Sequence, residues 1–295
     1  MKSFDRTSIQ VNLTGPGSQP AEEDDSGLEF IRLPQEMDRY CAPDLPEPET
    51  VAQLAAARTV MDWLQAALER YRVGDPPQVA DISGLDAANR DLVNQILGEG
   101  EVSLQYNGSV QARMQESVLA GIWRTCYLDE RGVLTHDLIE VADVPLLART
   151  PLAGDCDPGR IAGLTDAIPP AEVMNAMPIL SEVQEHLQTW QPGQTAHVIN
   201  LSLLPLSPAD IEFLEQTLGE GPVQTLSRGY GECQVRSTAC PNLWWVRYYN
   251  SMGTLILNTL EVVDIPLVAC AAQDDLDDSR RRMQELLEPY WQELA

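Results

Sequence analysis

The chain has 295 residues, with 45 acidic and 19 basic side chains and a formal net charge of −26. That charge argues against sequence-independent nucleic-acid binding, which needs Lys and Arg to displace phosphate counterions, and against docking on anionic lipid. The only lysine is Lys2, which removes a P-loop lysine, a Schiff-base lysine and a lysine general base together.

In chain order, residues 1–27 carry Gly15-Pro16-Gly17-Ser18 and the acidic run Glu22 to Asp25. They read as a disordered acidic tail. Residues 28–47 hold the apolar patch Leu28, Phe30, Ile31 and Leu33 before prolines, and read as an extended arm. The first ten residues contain no apolar signal region, and no apolar run approaches the roughly 20 residues of a membrane span. A cytoplasmic protein without membrane insertion is expected. Six cysteines, sparse and without a C-x-x-C, suit free thiols in a reducing compartment.

An internal repeat organises the rest. Leu97-Gly98-Glu99-Gly100 returns 121 residues later as Leu218-Gly219-Glu220-Gly221. At the same spacing Trp123 meets Trp244, Tyr127 meets Tyr248, Asp143 meets Asp264 and Pro145-Leu146 meets Pro266-Leu267. Residues 48–150 form a first α+β repeat, 151–168 a linker rich in Pro, Gly and Asp, and 169–270 a second repeat.

Within each repeat, Leu54, Met61, Leu64, Leu68 and Tyr71, and then Met177, Leu180, Val183, Leu187 and Trp190, recur at helical spacing. Short strands follow at Val79–Ile82 and His197–Leu201. Asp86 and Ser207 cap second helices that end at Gly98 and Gly219. Extended runs complete each repeat at Val118–Leu128 and Val133–Val141, then Leu243–Tyr249 and Thr254–Val263. Residues 271–295 predict a C-terminal helix with Met283, Leu286, Leu287, Tyr290 and Leu294 on one stripe. The expected fold is α+β: two tandem helix-plus-antiparallel-sheet repeats related by a pseudo-twofold axis.

Catalytic signatures are absent: no G-x-S-x-G, H-E-x-x-H, P-loop or G-x-G-x-x-G occurs. His136, His186 and His197 share no metal-ligand spacing. No enzyme, no cofactor and no resident metal are expected. One strand face diverges between the copies. Trp245, Arg247 and Tyr249 stand where the first copy has Arg124, Cys126 and Leu128. Large aromatics around an arginine suit a binding hot spot. With Arg228, Tyr230 and Cys233 they form the expected partner-binding surface; a second buried face against a helix is the alternative.

The run Gly229-Tyr230-Gly231 with Cys233, Ser237-Thr238, Trp244-Trp245-Val246, Asn250-Ser251, Leu255-Ile256-Leu257-Asn258 and Leu260-Glu261-Val262 resembles the HupH/HyaF/HoxQ family of hydrogenase expression and formation proteins. Cys270-Ala271-Ala272-Gln273 and Leu276-Asp277-Asp278-Ser279 extend the resemblance. It implies an accessory protein for an uptake nickel–iron hydrogenase. Such a chaperone would bind the immature iron–sulfur small-subunit precursor before export, with other hydrogenase accessory proteins as further partners. A transient iron–sulfur or metal scaffold using Cys233 is the second reading.

Overall fold

Caps and apolar stripes set the helices, and β-branched alternation sets the strands. The computed structural model describes residues 51, 53–166, 168–228 and 231–292. The tail expected at 1–27 and the arm at 28–47 lie outside them, as do Tyr230 and Leu294.

Helix α1 (Ala55–Arg70) turns Ala57, Met61, Leu64, Ala67 and Leu68 inward. Strand β1 (Gln78–Asp81) follows, then helix α2 (Ala87–Leu97). The Asp86 carboxylate accepts the Asn89 N–H at 2.9 Å as its cap. Gly98 ends α2 at φ +56°, a conformation that favours glycine. Four antiparallel strands come next: β2 (Val102–Asn107), β3 (Gln111–Glu116), β4 (Ile122–Leu128) and β5 (Leu134–Val141). The one-turn helix α3 (Leu146–Arg149) closes this half.

The second half repeats the order. It runs through α4 (Ala176–Thr189), β6 (His197–Asn200), α5 (Pro208–Leu218), β7 (Glu220–Arg228), β8 (Glu232–Thr238), β9 (Leu243–Tyr249) and β10 (Leu255–Val262). Ser207 and Asp210 form a full capping box at the start of α5. The last helix, α6 (Gln273–Gln292), crosses back to pack Leu276, Met283 and Leu287 into the first half's core beside α1.

All ten strands join one antiparallel open sheet in the order β1-β5-β4-β3-β2-β7-β8-β9-β10-β6. The seam between the halves is β2 with β7, where Tyr106 opposes Val223 and Val102 opposes Ser227. Details recur at the spacing of the sequence repeat. The Trp123 indole N–H donates to the Ala142 carbonyl at 3.1 Å, and that of Trp244 to the Val263 carbonyl at 3.2 Å. A Cβ on Gly100 would stand 2.3 Å from the Ser117 carbonyl oxygen, and one on Gly221 2.2 Å from that of Thr238. Only glycine lets the chain pass there.

Three apolar cores follow. Helices α1, α2 and α6 bury one face of β4 and β5 through Ile122, Ile139 and Val141. Helices α4 and α5 bury the same face of β9 and β10 through Leu243, Trp245, Leu260 and Val262. The opposite sheet face carries a core common to both halves, including Tyr106, Met114, Trp123, Val223, Val235 and Trp244. The 151–168 segment is tied to each half. Asp155 accepts the Tyr106 hydroxyl at 2.5 Å, while Leu164 sits in the α4–α5 core.

Candidate functional site

Among the described residues, helices pack on the outer strands of the sheet, β4 and β5 in one half and β9 and β10 in the other, and none of these cores includes the same face of β2, β3, β7 or β8. Side chains alternate across a strand, so directly paired residues share a face. The register lines up Arg113, Gln105, Gln224 and Arg236 in one row across β3, β2, β7 and β8. The neighbouring row reads Gln115, Ser103, Leu226 and Gln234. Gln105, Arg113, Arg228 and Arg236 are exposed. Among the described residues, Arg113, Arg228 and Arg236 have no ion-pair partner. In a chain of charge −26, Arg113 and Arg236 set positive charge among glutamine donors on this face. It suits carbonyl and carboxylate acceptors on another polypeptide.

The residues expected to bind a partner divide between the two sheet faces. Arg228 opposes Glu232, which opposes Tyr249, so these lie on the open floor and its margin. Arg247 adjoins them; its guanidinium stands 4.6 Å from the Trp245 ring centroid and pairs with Glu215 of α5. Trp245 itself is 6% exposed, inside the α4–α5 core, with its indole N–H donating to Asn258 Oδ1 at 2.5 Å. That corrects the expectation of an exposed Trp245.

The reason for its divergence is internal. At the corresponding pair of positions in the first half, the Arg124 guanidinium meets Asp137 at 2.7 Å. At positions 121 residues apart, one half has an ion pair and the other a tryptophan–asparagine hydrogen bond. Burial of one member forces a matched change in the other.

Cys233 faces the other way. It is 8% exposed in the common core, opposite Tyr248. Burial pushes its thiol up to about 11, against the hydrogen bond with Tyr248. A thiol held protonated is a weak ligand and nucleophile.

A second concavity lies beside the common core, lined by Arg149, Cys156, Thr238, Cys240, Trp244 and Asp264. Arg149 is committed to Asp143 and Asp264, each at 2.6 Å. Burial pushes Cys240 up to about 11 and raises Cys156. Neither a free cation nor a ready thiolate is offered there.

Two features escaped the sequence. Strands β2, β3, β7 and β8 are half polar, so they lack the apolar density that marks β9 and β10. Their period-2 alternation, as in Leu104 and Tyr106 inward with Gln105 outward, was the available signal. His186 and His197 also meet, their rings stacked at 3.4 Å between centroids, although no spacing announces it. Among the described residues, no helix is long and apolar enough to cross a membrane.

Comparison with known proteins adds the family context. The model of the HupH hydrogenase expression protein C-terminal conserved region matches residues 54–157 and 173–290. The hydrogenase expression/formation protein HoxQ of Cupriavidus necator is 45% identical over 287 residues, covering 95% of this chain and 96% of the relative. HupH of Rhodobacter capsulatus is 41% identical, covering 93% of this chain and 94% of that protein. The hydrogenase-1 operon protein HyaF of Escherichia coli is 30% identical, with 93% and 94% covered. A solved structure of hydrogenase expression protein HupH from Thiobacillus denitrificans is 31% identical over 39% of this chain and 96% of that one, with a TM-score of 0.38.

Proposed function

This chain belongs to the HupH family of hydrogenase expression proteins, and from that premise we propose that it serves hydrogenase maturation by holding the immature iron–sulfur small subunit on the open floor of its sheet. The observation that carries the reading is the row Arg113, Gln105, Gln224, Arg236 at the seam of the two halves, on which no helix packs among the described residues. A rigid floor of this kind presents donors at fixed spacing without the ordering cost of a loop. Arg228, Arg247 and Tyr249 extend the surface toward β9; Trp245 supports Arg247 from beneath. Tyr230, two residues after Arg228 in sequence, is the remaining expected partner residue and lies outside the described residues.

The scaffold reading, with Cys233 as a ligand, gains no support from a thiol that is buried and pushed up. An accessory role rather than catalysis agrees with the relatives' names as expression and formation proteins.

The same reading treats the halves as duplicated units about a pseudo-twofold axis between β2 and β7. The recurrent Trp123 and Trp244 hydrogen bonds support it. Superposing β2–β5 on β7–β10 with a misfit as large as the strand spacing would overturn it.

Affinity capture with the purified chain tests the partner. The small-subunit precursor is expected to be retained and the large-subunit precursor not. Retention of the large subunit alone would contradict the proposal.

A further inference from the structure

The second half carries a side-chain cluster that the first half lacks. Glu182 and His186 are four residues apart on α4, hence on one face of that helix. His197 opens β6, the edge strand beneath the same helix. One donor atom from each of the three lies within 4.8 Å of the other two. His197 Nε2 is 2.8 Å from Glu182 Oε1, and the two imidazole rings lie nearly parallel, 11° apart. Strands β1 and β6 start 119 residues apart, and at that spacing Trp63, Ala67 and Gln78 are the corresponding positions in the first half. The repeat itself therefore does not require these three side chains.

We propose that Glu182, His186 and His197 form a surface site for a divalent transition metal of the zinc class, clamping α4 to the edge strand. Two imidazoles and a carboxylate are a donor set that zinc uses, with bonds near 2.0–2.2 Å and a fourth position left to water. Tetrahedral geometry at those bond lengths puts donors about 3.3 Å apart. Closing from within 4.8 Å falls to side chains that are half-buried or exposed and so free to change rotamer. The ring stack also has to open, because both lone pairs lie in nearly parallel planes. For the metal to take the Nε2 lone pair now turned to Glu182, His197 carries its one ring proton on Nδ1, and any second proton is released to solvent. Neutral imidazole is the binding form, so no electron transfer and no covalent step is involved. Imidazole and carboxylate together favour zinc, cobalt, nickel or copper over magnesium or calcium.

The test uses tag-free, chelator-treated full-length protein. Zinc chloride is titrated by calorimetry, and cobalt chloride is followed by its visible absorption. The expected result is one ion per chain at micromolar or tighter affinity, with a cobalt band of low-coordinate type. His186→Ala and His197→Gln should each weaken zinc binding at least about tenfold, the loss typical of removing a ligand or its support. His136→Ala, placed elsewhere, should change nothing. Zinc should raise the melting temperature of the parent and not of His197→Gln, because only the intact site joins α4 to β6. Circular dichroism confirms that each variant is folded. No stoichiometric binding to the parent, or undiminished binding to the His186→Ala/His197→Gln double variant, would overturn the site. Neither outcome bears on partner binding at the sheet floor, which lies on other strands.

Discussion

Glu116 shows how one buried side chain shapes the response of the molecule to pH. It ends β3 at 8% exposure, with Oε1 accepting the Gly121 N–H at 3.1 Å. Burial pushes its carboxyl up from 4.5 to about 7; the Gly121 N–H opposes this, while Asp275 and Glu101 add to it. The folded protein thus holds this proton more tightly than the unfolded chain. The stabilisation is full below 4.5 and is lost as pH rises through about 7. At pH 8 the ionised carboxylate costs up to about 3 kcal/mol. Glu116→Gln keeps an acceptor and cannot ionise. It should melt above the parent at pH 8, with the difference vanishing near pH 4.5. An equal difference at both pH values would show that burial of charge is not the cause. The second half has Ser237 at this place, so the effect belongs to the first half alone.

Elements are locked to one another by shared caps as much as by apolar packing. Asp210 is the clearest case. It completes the α5 capping box with Ser207, and its Oδ1 also accepts the N–H groups of Met174 and Asn175 at 2.8 Å and of Ala176 at 3.2 Å. Burial alone would raise this carboxyl, yet these donors hold it well below the usual carboxylate range. Asp210→Ala would leave the start of α4 with orphaned donors and α5 without its box. A loss of about 2–4 kcal/mol is expected, combining a lost cap with unsatisfied buried groups. Chemical denaturation that shifts by less than about 0.5 kcal/mol would show that water replaces the carboxylate easily. At this scale the sequence was informative. Asp86, Ser207, Gly98 and Gly219 announced both helix boundaries, and β9 falls at Leu243–Tyr249 as expected. Strand β4 begins at Ile122 rather than Val118, because Ser117 bonds locally with Leu119 to make a turn first. Strands β2, β3, β7 and β8 show no such run, since a strand with one solvated face carries only half the apolar signal.

For the molecule as a whole, the β2–β7 seam and the core beneath it make the two halves one body of sheet. Among the described residues, helices cover the outer strands and none covers the middle on that face. Which face was open was not legible in the sequence, because Trp245 and Arg124 look equally fit for surface or core until their partners Asn258 and Asp137 are placed. Divergence between repeats pointed to specialisation at Trp245, where the structure shows exchange of one internal pair for another. On the floor, Arg113, Arg228 and Arg236 combine exposure with no ion-pair partner among the described residues, and they stand on β3, β7 and β8, whose polar face carries little apolar signal.

The central claim, that this floor is the partner-binding surface, is tested most directly by the affinity of the Arg113→Glu/Arg236→Glu variant for the small-subunit precursor. Reversing two floor charges should weaken binding at least about a hundredfold, on the scale of two interface anchors, with circular dichroism and melting temperature unchanged. Parent-like affinity in that folded variant would contradict the account.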